Sequence, residues 1–129
     1  MRLAAAALAL ALVAGCGGGD GGSPEGRWEL VSGIDLGGAE NVPTANFGDD
    51  RVGGTTGCNR FSASYTVDGD ALELGPIAAT RIACAPPAGE IETAYLAALE
   101  RVAAWRVEDG ELVLQDDGGA ELLRYAETS

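Results

Sequence analysis

Histidine and lysine are absent from these 129 residues. That closes serine–histidine and cysteine–histidine nucleophile pairs, imidazole metal sites, the lysine of phosphate-binding loops and lysine Schiff bases. What remains for chemistry is three cysteines, twenty acids and eight arginines. Cys58 lies two residues from Arg60, and a nearby cation lowers a thiol's pKa, but a structural role for Cys58 is the better reading. Asp49-Asp50 and Asp116-Asp117 pair carboxylates of the kind that calcium or acid–base chemistry uses. Neither pair has further ligands at a supporting spacing, so both read as solvated turns. Asn59 and Arg60 form the most distinctive polar pair. One reading makes them a recognition site at one end of the domain. The preferred one has Asn59 capping a tight turn and Arg60 pairing with a local carboxylate. Gly53, Gly54 and Gly57 suit sheet curvature or close backbone approach better than a phosphate cradle. No Gly-x-Gly-x-x-Gly follows a strand and opens a helix, so no cofactor is expected.

The remaining cysteine, Cys16, has a different setting. Met1-Arg2, an apolar run over residues 3–14 and then Gly15 have the order of a signal peptide: charged start, hydrophobic stretch, small-residue cleavage site. The run is too short to span a bilayer. Val13-Ala14-Gly15-Cys16 resembles the lipobox of bacterial lipoproteins, in which the cysteine is acylated, for instance with palmitate, before cleavage. Residues 1–15 are therefore expected to be a lipoprotein signal peptide and Cys16 the lipidation site; an ordinary secreted protein with an incidental cysteine is the alternative. Each buried methylene of an acyl chain adds about 0.8 kcal/mol of membrane affinity. Gly17, not Asp, follows the cysteine, which resembles the pattern routed to the outer membrane when the host has two membranes. With one membrane, the anchor would sit on the outer face of the plasma membrane. Export also places Cys58 and Cys84 where a pair is more often bridged than free. A bridge closing that loop would add about 3.5 kcal/mol; two buried, inert thiols are the alternative.

The formal charge is 8 − 20 = −12, and loss of residues 1–15 removes Arg2 and no acid. Such a surface repels nucleic-acid phosphates and anionic headgroups, so no nucleic-acid partner is expected and the lipid must supply the membrane affinity. With 47% hydrophobic and 22% charged residues, the composition is that of one folded domain.

The elements that must position these residues are mostly strands. Residues 16–25, rich in glycine, read as a tether with a reach of about 15 Å, and the fold should start near Glu25. Arg27-Trp28-Glu29-Leu30-Val31 alternates as a first strand, and residues 37–44 are turn-rich. Phe61, Ala63, Tyr65 and Val67 alternate with polar residues in the clearest strand of the chain. Asp68-Gly69 and Asp109-Gly110 are hairpin signals, because such turns need positive φ, and Asp116-Asp117-Gly118-Gly119 marks a third turn. The last third is thus a β-meander. Ile91, Ala94, Tyr95, Ala98, Leu99 and Val102 fall on one helical stripe. Glu90 and Glu92 lie in the expected first turn, where carboxylates suit the helix dipole.

Gly57-Cys58-Asn59-Arg60-Phe61, the strand to Tyr65, the Asp68-Gly69 turn and Thr80-Arg81-Ile82-Ala83-Cys84 together resemble the META/HslJ-like domain family, as does Trp28-Glu29-Leu30 at the opening strand. The likeness runs from about residue 26 to 126, and the domain is set at residues 26–127. The family often has methionine where Ile82 stands and glycine where Ala63 stands, both mild departures. The resemblance implies a mainly β (α+β) fold: a small curved antiparallel sheet or barrel-like domain with one packed α-helix. It is frequent in bacterial envelope lipoproteins and carries no established catalytic residue. Loose links to envelope stress and to pilot lipoproteins of secretion systems come with it.

The expected function is therefore a non-enzymatic binding or assembly module anchored to the cell envelope, engaging an envelope protein or an apolar ligand. Trp28, Phe61, Tyr65, Tyr95 and Trp105 could line an apolar pocket, but with 5% aromatics in the chain they are better read as core. A small inhibitor of a protease is an alternative and calls for a rigid, protruding loop, placed at residues 36–48. A carboxylate-dependent hydrolase is a weaker one, since it needs two acids converging in a pocket.

Overall fold

The computed structural model describes residues 23–128. The expected signal peptide, Cys16 and most of the tether lie outside those residues. The tether's end differs from expectation: Pro24 is buried, and its carbonyl accepts the Trp28 indole N–H at 2.9 Å. The folded part thus begins two residues inside the stretch read as tether.

Nine strands and one helix follow: β1 (Gly26–Ser32), β2 (Thr44–Phe47), β3 (Arg51–Thr55), β4 (Arg60–Asp68), β5 (Ala71–Leu74), β6 (Ala78–Ala79), α1 (Ala88–Leu99), β7 (Ala104–Glu108), β8 (Glu111–Gln115) and β9 (Glu121–Glu127). All strand pairs are antiparallel, in the order β3-β2-β1-β9-β8-β7-β5-β4-β6. A further pairing of β3 with β4 closes the sheet into a ring. The fold is mainly β with one helix, as its alternating strands and single apolar stripe predict. β6 pairs only with β4, through Phe61 opposite Ala79 and Ser62 opposite Ala78, so its other side is an open edge.

Alternation sets the faces. Phe61, Ala63 and Tyr65 of β4 point into the core, while Arg60 and Ser64 are not buried. Asp109 and Gly110 take positive φ at the β7–β8 turn, and Gly69 does so between β4 and β5. The five aromatic residues in question, Trp28, Phe61, Tyr65, Tyr95 and Trp105, all belong to the hydrophobic core. Phe47 and Tyr65 meet edge to face at 5.0 Å, Phe61 and Tyr95 at 5.8 Å, an arrangement favoured by the ring quadrupoles.

α1 buries Ile91, Tyr95, Ala98 and Leu99, while Ala94 is exposed and Val102 is buried just beyond the helix end. The Tyr95 hydroxyl meets the Tyr125 hydroxyl of β9 at 2.7 Å and the Thr44 carbonyl of β2 at 3.2 Å, pinning the helix to the ring. Only Glu90 occupies the first turn; Glu92 turns inward instead. Two strands had no sequence signal. Thr44–Phe47 lies at the end of the turn-rich stretch, and Ala78–Ala79 has neither length nor alternation.

Candidate recognition site

Thr56 and Asn59 are the buried polar side chains, tyrosines apart, among the described residues, at 0% and 3% exposure. Such groups are costly unless their hydrogen-bonding capacity is met, so their partners define where the fold has been built for polar contact. Both sit in the turn between β3 and β4. Thr56 makes that turn: its hydroxyl oxygen accepts the N–H groups of Cys58 and Asn59 at 3.1 and 2.8 Å and donates to Glu92 Oε2 at 2.8 Å. Asn59 therefore does not cap the turn. Its side chain reaches across to another segment.

An Asn amide offers two donors and two acceptor sites, and all four are used. Nδ2 donates to the Ile82 carbonyl and to Glu92 Oε2, both at 2.9 Å. Oδ1 accepts from the Ile82 N–H and from Thr80 Oγ1, both at 2.8 Å. The amide thus grips the main chain of Ile82 on both sides. Thr80 N–H adds a bond to the Arg60 carbonyl at 3.0 Å, and Arg60 N–H returns one to Thr80 Oγ1 at 3.1 Å. Cys58 and Cys84 are joined in a disulfide, with their Cα atoms 6.0 Å apart, which fixes the far end of the same segment.

The result is a segment, residues 80–83, held at Thr80 and Ile82 yet open to solvent. Thr80, Arg81, Ile82 and Ala83 are all exposed, Ile82 by 67%. Hollows flank it on both sides. One of about 430 Å³ separates it from α1 at Leu96 and Glu100, and one of about 450 Å³ lies toward Arg60 and Ser62.

Arg60 was expected to find a carboxylate, and it finds none within ion-pair distance among the described residues. It opens β4 on the face opposite Phe61, where its side chain is exposed. Glu92 is the participant that sequence reasoning placed wrongly. Its position three and seven residues before Tyr95 and Leu99 sets it beside the buried stripe, a signal that a first-turn dipole role concealed.

The acid pairs take other roles. Asp116 organises its turn, with Oδ1 accepting from Gly118 N–H and Ala120 N–H at 2.9 Å each. The Ala120 N–H first, then that of Gly118, hold its carboxyl below the usual range. Asp49 and Asp50 are exposed between β2 and β3. No cluster of three or more His, Cys, Asp or Glu side chains fit to hold a metal occurs among the described residues. Residues 36–48, expected as a protruding loop, include β2 and the buried Pro43, so the displayed segment is residues 80–83 instead.

A nine-stranded ring with one helix thus carries a threonine–asparagine–glutamate network and a disulfide beside the turn between β3 and β4. Residues 23–129 match the META domain, and the chain belongs to that family. No curated protein matches it. Among solved structures it is similar to a protein from Burkholderia xenovorans determined by NMR, at 26% identity and a TM-score of 0.67, with 81% of this chain and 83% of that one covered. A second NMR structure aligns at 26% identity and a TM-score of 0.61, covering 80% of this chain and 89% of that one. A DUF4847 family protein from Bacteroides vulgatus shares the fold at 14% identity and a TM-score of 0.59, over 81% and 93% of the two chains.

Proposed function

We propose that this protein is a non-enzymatic binding module of the bacterial cell envelope, tethered through acylated Cys16, which engages an envelope protein through the segment held by Asn59. The observation that carries the reading is the full use of a buried asparagine amide on the main chain of an exposed segment. Buried polar networks cost desolvation, and what this one delivers is a displayed, fixed stretch of chain. The apolar run ending in Cys16 supports export and anchoring, and a disulfide suits an oxidising compartment. The aromatic side chains pack into the core, which favours a protein partner over an apolar ligand carried inside. The acid pairs sit on turns and do not converge, which disfavours a hydrolase. A role in envelope stress tolerance or in assembly of a membrane component accords with this reading, at the outer membrane of a two-membrane host or the outer face of a single one.

Intact mass of detergent-extracted protein tests the anchor. The expected spectrum carries acyl mass on a chain beginning at Cys16, and Cys16→Ser removes that mass and releases the protein to the soluble fraction. An unmodified chain already soluble in its native form contradicts the reading. The same spectrum taken with and without reduction before alkylation reports the Cys58–Cys84 bridge.

A further inference from the structure

Resting on that binding role, the backbone of the displayed segment points to a particular class of partner. Two residues of an antiparallel pair exchange bonds at every second position. Thr80 N–H bonds inward to Arg60, so Ala79, one residue earlier, turns its N–H and carbonyl away from β4, toward the open edge of β6. Ile82 bonds inward at both its N–H and its carbonyl, through Asn59. Between these anchors, Arg81 N–H and carbonyl have no partner among the described residues. The Arg81 side chain is exposed and makes no ion pair there either. From Ala79 to Ile82 the chain therefore alternates: outward at 79 and 81, inward at 80 and 82.

That alternation is what the cleft of a serine peptidase reads in an extended substrate. The enzyme bonds the main chain of the residue before the scissile bond and of the residue two earlier, and takes the side chain of the former into its specificity pocket. We propose that residues 79–83 are a substrate-like inhibitory loop for trypsin-like serine peptidases, with Arg81 entering an acidic specificity pocket. Ala79 would then meet the enzyme's main chain as well. Its small side chain leaves the approach open.

The same contacts explain why the loop would block the enzyme and not be consumed. Attack of the peptidase serine Oγ on the Arg81 carbonyl carbon forms an ester and breaks the Arg81–Ile82 C–N bond. The serine proton passes through the peptidase histidine to the Ile82 nitrogen, which leaves as an amine. In an ordinary substrate that amine diffuses away and water takes its place. Here Asn59 Oδ1 holds the Ile82 nitrogen at 2.8 Å, and the disulfide at Cys84 retains the chain that follows. The amine stays beside the ester, attacks it and restores the peptide bond. A leaving group held in place has an effective concentration far above that of a free one, and a loop already ordered binds without the cost of ordering it.

The test is inhibition of trypsin by the full chain, as processed by an exporting bacterial host, with a chromogenic arginine substrate and mass spectrometry of the inhibitor. The wild type is expected to inhibit competitively, with any nick confined to the Arg81–Ile82 bond. Arg81→Ala should weaken inhibition about 100-fold or more, as loss of a central anchor does. Arg81→Leu should transfer inhibition from trypsin to chymotrypsin. Both variants change a side chain without partners, and an unchanged far-ultraviolet spectrum checks their fold. Failure of the wild type to inhibit, hydrolysis after Arg81 at an ordinary substrate's rate, or inhibition indifferent to Arg81→Ala would each overturn the proposal. If crosslinks to an envelope protein still form at Ile82 while trypsin is ignored, this inference fails and the binding role stands. If no crosslinks form there either, both fail.

Discussion

Asn59 shows how one side chain can turn an irregular stretch into a fixed surface. Its four bonds reach Thr80, Ile82 and Glu92, which lie 21, 23 and 33 residues away from it along the chain. Replacing it by Asp keeps the shape, removes both donors and sets a second carboxylate against Glu92 Oε2. Leaving buried groups unsatisfied in this way costs on the order of 3 kcal/mol, so urea unfolding of Asn59→Asp should show a markedly lower midpoint at neutral pH. A midpoint within experimental scatter of the wild type would mean that the network does not hold the segment. Asn59 was visible in the sequence as a distinctive residue beside a cysteine, but its role was not. A capping asparagine bonds within its own turn, and nothing in Gly57-Cys58-Asn59-Arg60 shows that this one bonds 23 residues away. The Cys58–Cys84 pair was easier, because compartment chemistry alone makes bridging favourable.

At the scale of elements, strands with alternating residues were legible and those without were not. β4 shows its period over nine residues, and the Asp-Gly turns mark the hairpins around it. β2 offers only Ala45 and Phe47 as inward residues, and β6 is two alanines, so neither carries a readable period. What fixes β3 against β2 is a close approach: a Cβ on Gly54 would lie 2.5 Å from the Thr44 carbonyl oxygen. Gly54→Ala should therefore push the strands apart and destabilise by about 1–3 kcal/mol. Gly118→Ala, whose Cβ would meet nothing nearer than 3.5 Å, should be far milder. Thermal melts of the two variants, compared directly, decide whether the glycine serves this contact. Reducing the disulfide, which spans a sequence separation of 26, should cost about 3.5 kcal/mol by releasing the unfolded chain. Denaturant unfolding with and without reductant measures that difference.

Closure of the ring is a property of the whole molecule and left no local mark in the sequence. The ring also needs the first strand, β1, beside the last, β9, so that Trp28 stands opposite Glu127, and no short window contains both. The Tyr95–Tyr125 pair lies inside that closure, fully buried. Burial raises both hydroxyls well above the usual tyrosine value of 10.0. The unfolded chain therefore releases these protons first as pH rises. Their stabilisation is complete below about pH 10 and declines above it, by about 1.4 kcal/mol per pH unit for each tyrosine. Alkaline unfolding followed by tyrosinate absorbance should be cooperative, with both tyrosines ionising as the fold opens, and Tyr95→Phe, which takes a partner from the Tyr125 hydroxyl, should lower stability at neutral pH by about 1–3 kcal/mol. Gradual, independent ionisation of the tyrosines would show that the pair is not sealed in the core.

A photoreactive residue at Ile82, activated in the intact envelope of the host, tests the binding role most directly, with the same group at Asp109 on the β7–β8 turn as its control. One discrete adduct with an envelope protein is expected from position 82, none from position 109, and a weaker adduct from position 82 when Cys16→Ser frees the domain. No adduct from position 82, or equal adducts from both positions, would contradict that role.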